Sequence, residues 1–203
     1  MTPATGPPLA DSRLEQAASA ARRLLRVVDA INRTLAYASG VLFVLVSLYV
    51  AADAAGRTFF HVSTAVTDEF GGYVLAVGAM FALAYTLRIG GHVRIDILLP
   101  YLPQRLQIIL NYVAMAGMAL FSGMLALYTW QLAIESLTTG ARAMSFLRTP
   151  LFPPQALVAL GLSLLCVEAI AILAAGAVES ARQGRLVSPE GFHQPAGAST
   201  ERA

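Results

Sequence analysis

Glu168 is the residue of this chain best placed to do chemistry. It stands between Leu164-Leu165-Cys166-Val167 and Ala169-Ile170-Ala171-Ile172, an apolar setting for a carboxylate. An ionised acid in hydrocarbon is costly, so it must be neutral, paired, or turned to a polar interface, and such a residue is a candidate for coupling proton or ion movement. It is a single carboxylate with no second ionisable group in mid-span, which makes a thin ion pathway and favours a contact at a helix or subunit interface. Asp53 and Arg57 stand four apart, acid before base, the order that favours an ion pair on one helix face. The pair serves either to stabilise the end of a helix or to meet a partner subunit. Asp68-Glu69 precede another apolar run, where a helix N-terminus favours negative charge. A sharper reading pairs Glu69 with Arg57 or with a neighbouring chain.

The segment Arg88–Pro103 concentrates charge, glycine and proline between two apolar runs. Arg88 suits the negative C-terminal end of a helix, and Gly90-Gly91 lets the chain turn. Val93, Ile95, Ile97 and Leu98 are apolar anchors, while His92, Arg94 and Asp96 are polar ones. The pattern predicts a short structure lying on the membrane face. The three histidines, His61, His92 and His193, all fall outside the apolar runs, so facing histidine pairs for a membrane haem are not available. With one cysteine, Cys166, no disulfide framework or thiolate metal site arises within one chain. Motifs for zinc hydrolysis, phosphate cradling or a nucleophile elbow are missing. No catalytic constellation, cofactor site or metal site is expected.

The elements that carry these residues are membrane helices. The chain is 57% hydrophobic and 13% charged, with a mean hydropathy of +0.64. Soluble domains carry about 25% charged residues. Four stretches, about 35–55, 70–87, 108–130 and 155–178, approach or exceed the roughly 18–20 residues needed to cross about 30 Å of hydrocarbon. They read as helices, which satisfy their backbone hydrogen bonds internally. The first run is long enough to span and lacks a cleavage site, so it is not read as a signal peptide. Gly161 and the Ala119/Gly123 pair allow close helix approach, and Tyr128 and Trp130 suit an aromatic belt. Pro154 suits the first turn of the fourth span, after an outer loop running from Glu135 to Pro154.

All 14 basic residues are arginine. Eleven fall before the first span, between the second and third, or after the fourth; only Arg57, Arg142 and Arg148 fall on the other side. The positive-inside rule then puts both termini in the cytoplasm. Ser12-Arg13-Leu14-Glu15 fits a capping box. Leu14, Ala17, Ala18, Ala21, Leu24, Leu25, Val28, Ile31 and Leu35 recur at helical steps behind it. The fold class is therefore an all-α membrane protein: four transmembrane helices (35–178) preceded by an amphipathic interfacial helix (11–34) in the headgroup plane. Disorder is expected over 1–10, and a flexible cytoplasmic tail over 179–203.

Tyr85-Thr86-Leu87-Arg88, then Gly90-Gly91-His92-Val93-Arg94-Ile95-Asp96 and Leu102-Pro103, resembles the small membrane subunit of tripartite ATP-independent periplasmic (TRAP) transporters, the DctQ type. Arg57-Thr58-Phe59-Phe60 resembles the end of that family's first span, and Asp68-Glu69-Phe70 with Tyr73 the start of its second. The chain departs from the family pattern at Val77 and Ala82, where tryptophan and glycine are frequent. The resemblance implies an inner-membrane scaffold that braces a large membrane subunit and helps receive a periplasmic substrate-binding protein. Uptake of an organic acid would be driven by a sodium gradient. It also implies structural or subunit-interface roles for Arg57, Glu69, Arg88, His92, Arg94 and Asp96, to which the span residues Asp53 and Glu168 are added. The competing expectations are a self-sufficient proton-coupled carrier using Glu168 or Asp53, and a membrane anchor for a redox complex.

Overall fold

The fold was obtained as a computed structural model, which describes residues 9–61, 66–89, 103–145, 147–183, 186 and 189. Four helices account for nearly all of them: α1 (Leu9–Phe60), α2 (Val66–Arg88), α3 (Gln104–Thr139) and α4 (Phe152–Gln183). Each is long and apolar enough to cross a membrane. Among the described residues, extended pairing is limited to one isolated bridge, Arg142 to Pro150.

The amphipathic segment is not a separate element. It runs unbroken into the first span, giving a helix of 52 residues, about 78 Å long at 1.5 Å per residue. Its inward face also differs from the expected stripe. Leu25, Val28, Asn32 and Ser39 are buried, whereas Ile31 is 44% exposed. Packing on α2 and α4 thus takes Leu25 and Val28 from the stripe together with Asn32, and leaves Ile31 outside.

α4 is the hub, packed on α1, α2 and α3, while α2 also packs on α1. Hydrocarbon tails are as apolar as leucine, so membrane helices associate through close packing and interhelical hydrogen bonds. Both are present. A Cβ on Gly161 of α4 would lie 2.8 Å from Met80 Cβ and 3.1 Å from the Met80 carbonyl carbon on α2. Between α3 and α4, the Cys166 thiol donates to the Ala119 carbonyl at 3.4 Å, and Gly123 leaves room for that sulfur. Nearby, the Trp130 indole N–H donates to Ser163 Oγ at 3.1 Å. Trp130 therefore packs against α4, while Tyr128 is exposed.

α3 continues past the expected end of its span to Thr139, which puts Glu135 in the helix. Falling hydropathy does not end a helix; Gly140 does, in the left-handed conformation at φ 64°, with its N–H bonded to the Ser136 carbonyl. The loop then doubles back. Ala143 N–H bonds the Thr149 carbonyl at 2.9 Å, and Leu151 N–H bonds the Ala141 carbonyl at 3.1 Å. α4 opens at Phe152, with Pro153 and Pro154 in its first turn, where a missing N–H costs nothing. At the other end of α4, Pro189 is fully buried. It lies against Gly176, so the chain beyond α4 returns to the bundle at that residue.

Candidate functional site

Two polar clusters mark opposite ends of the bundle. The first gathers Asp29 and Asn32 from α1, Arg88 from α2 and Glu168 from α4. Arg88 is the last residue of its helix, so its guanidinium sits where the helix dipole favours a cation. Its Nε lies 3.7 Å from Glu168 Oε1 and 3.4 Å from Asp29 Oδ1. Asn32 Nδ2 donates to Glu168 Oε2 at 3.1 Å. Glu168 and Asn32 are both 0% exposed. The carboxylate is thus at a three-helix junction, level with the end of α2 rather than isolated in mid-span.

Two acids, one guanidinium and one amide make this a holding cluster. Asn32 Oδ1, Arg88 Nη1 and Glu168 Oε1 are buried and have no hydrogen-bond partner among the described residues. Each member therefore depends on the others for compensation, because a buried charge that loses its partner is left uncompensated.

The second cluster lies at the other end. Arg57 Nη2 is 2.6 Å from Asp53 Oδ2, with the Asp53 side chain 5% exposed, and Arg57 Nε donates to the same oxygen at 2.8 Å. The i,i+4 pair thus forms. Glu69 accepts from the Tyr73 hydroxyl, one turn along α2, at 3.1 Å. Its other oxygen accepts from Ser145 Oγ at 2.5 Å. Glu69 therefore ties α2 to the loop between α3 and α4, a partner not anticipated from sequence. Among the described residues no three His, Cys, Asp or Glu side chains converge as a metal site would require.

A comparison with protein families decides the identity. The model for "Tripartite ATP-independent periplasmic transporters, DctQ component" matches residues 46–179. The chain belongs to the DctQ family. It is a small membrane subunit of a TRAP transporter, and a transporter component rather than an enzyme by family. No curated protein and no solved structure matches it.

The DctQ match takes in Asp53, Arg57, Glu69, Arg88 and Glu168. It also covers His92, Arg94 and Asp96, which lie outside the described residues, as does the surface segment expected there. Asp29 and Asn32 precede the matched stretch. They were also missed in the sequence. Asn32 carried a usable signal: it is an amide one turn from Val28 on a face that otherwise reads apolar. Asp29 and Ser145 carried none, since only the packed bundle brings them to Arg88 and Glu69.

Proposed function

We propose that this DctQ subunit is a fixed brace for the large membrane subunit of its transporter. In this reading a periplasmic binding protein delivers an organic acid, and the large subunit carries it inward down a sodium gradient. The chain sits in the inner membrane with both termini in the cytoplasm, an orientation that the arginine distribution supports. Asp53, Arg57, Glu69, Arg88, His92, Arg94, Asp96 and Glu168 then hold the bundle and its subunit interfaces, and none binds substrate. The observation that carries the reading is the junction of Glu168 with Arg88 and Asn32. It fixes α1, α2 and α4 to one another, as a brace requires. On this orientation the Glu69–Ser145 contact steadies the periplasmic hairpin, which exposes Arg142 and Arg148 toward the binding protein.

Co-expression with the large subunit tests this. The two should co-purify, and deletion of this chain should abolish uptake. Uptake that persists without the chain, with no complex formed, overturns the proposal. A self-sufficient carrier using Glu168 or Asp53 makes the opposite prediction: transport in liposomes holding this chain alone. Both acids already have basic partners, Arg88 and Arg57, which weighs against that alternative.

A further inference from the structure

The part of α1 that precedes its span has two faces of different chemistry. Leu25, Val28 and Asn32 are buried in the bundle. Arg23, Arg26 and Arg33 are exposed. At about 100° per residue, these three arginines fall within about 80° of one another and between about 105° and 175° from the centre of the buried face. Val27 and Ile31 are also exposed. Asp29, the acid in the same stretch, is engaged by Arg88. Among the described residues none of the three arginines has an ion-pair partner.

Helix length fixes the depth of this face. About 30 Å of hydrocarbon takes about 20 helical residues. Counted inward from the Asp53–Arg57 pair, that distance ends near Arg33. Arg26 and Arg23 then lie about 10 and 15 Å further along the helix. The headgroup layer is about 5–7 Å thick on each side. All three guanidinium groups therefore fall inside that layer or within about one Debye length of it. Such a distance lets an arginine attract anionic lipid.

We infer that the Arg23–Arg26–Arg33 face of α1 is a docking surface for anionic glycerophospholipid headgroups. The arginines meet the phosphates, and the buried face stays on α2 and α4. The inference needs only that the chain spans a bilayer, so a failure of the transport proposal leaves it standing.

Native mass spectrometry of the full chain, offered phosphatidylglycerol and phosphatidylcholine at equal concentration, tests it. The wild type should retain phosphatidylglycerol in preference. R23Q/R26Q/R33Q should reduce that preference by about tenfold or more. R23K/R26K/R33K should keep most of it, and R142Q/R148Q, at the other end of the molecule, should keep all of it. Circular dichroism checks that each variant is folded. Equal retention of both lipids by the wild type overturns the inference. So does an unchanged preference in the triple glutamine variant, including the case in which that variant instead loses a co-purifying acidic protein.

Discussion

Arg88, the last residue of α2, reaches Glu168 on α4 with 3.7 Å between Nε and Oε1, and the same nitrogen lies 3.4 Å from Asp29 on α1. One guanidinium thus serves two carboxylates on two other helices. Removal of a single partner from a buried pair leaves a charge uncompensated and typically costs about 3–5 kcal/mol. Arg88→Ala and Glu168→Ala should each lower thermal stability in detergent by an amount of that order. The double variant Arg88→Met/Glu168→Leu should recover much of the loss. If the single variants melt like wild type, the cluster is not what holds the three helices.

Asn32 tests the same junction from α1. Its amide donates to Glu168 Oε2 in a fully buried setting. A hydrogen bond to a charged group contributes about 1.5–3 kcal/mol. Asn32→Leu should destabilise by about that much. Asn32→Asp should do worse, because it puts a third acid beside one arginine. Equal melting temperatures for the Leu and Asp variants would remove the electrostatic account.

The two residues of that prediction show what was legible in the sequence. The four spans were readable because hydrocarbon thickness sets a length and hydropathy reports it. The end of α3 was less so, because Gly140 acts through backbone geometry rather than polarity. The burial of Asn32 on α1 was not legible, since an apolar pattern cannot show which polar residue a distant acid will draw inward. Glu168 was legible as an expensive residue. Its partners were not, because Asn32 lies 136 positions away in the chain. The Asp53–Arg57 pair was legible in full, being local to one helix turn.

Glycine positions separate packing from helix propensity. At Gly161 a Cβ would meet Met80 Cβ at 2.8 Å and Met80 backbone at 3.1 Å, whereas at Gly40 nothing lies within 4 Å. Alanine is favoured over glycine in a helix by about 0.8–1.0 kcal/mol. Gly40→Ala should therefore raise stability slightly. Gly161→Ala should lower it, and Gly161→Val should lower it further, as α2 and α4 are forced apart. A neutral Gly161→Val would show that the two helices do not approach as described.

Ser145 should affect one loop and little else. Its hydroxyl donates to Glu69, and the backbone N–H of Arg148 donates to its Oγ at 3.2 Å. Ser145→Ala removes both. Hydrogen exchange should speed up at Ala143 and Leu151, whose amides close the hairpin, while amides of α3 and α4 stay protected. Faster exchange spread through α4 would mean that the loop and the bundle unfold together.

The orientation proposed from the arginine distribution can be read by chemical labelling. Arg105 opens α3 and Arg142 lies in the loop after it; both are exposed, and the helix between them is 36 residues long, about 54 Å and more than a bilayer's thickness. They must emerge on opposite sides. The chain has one native thiol, Cys166, so Cys166→Ala gives a clean background at the cost of the weak bond to Ala119. In intact cells, a membrane-impermeant maleimide should label Arg142→Cys and spare Arg105→Cys. Permeabilisation should then expose Arg105→Cys. The reverse pattern would invert the molecule, put eleven arginines outside, and remove the Glu69–Ser145 hairpin from the side on which a periplasmic protein could meet it.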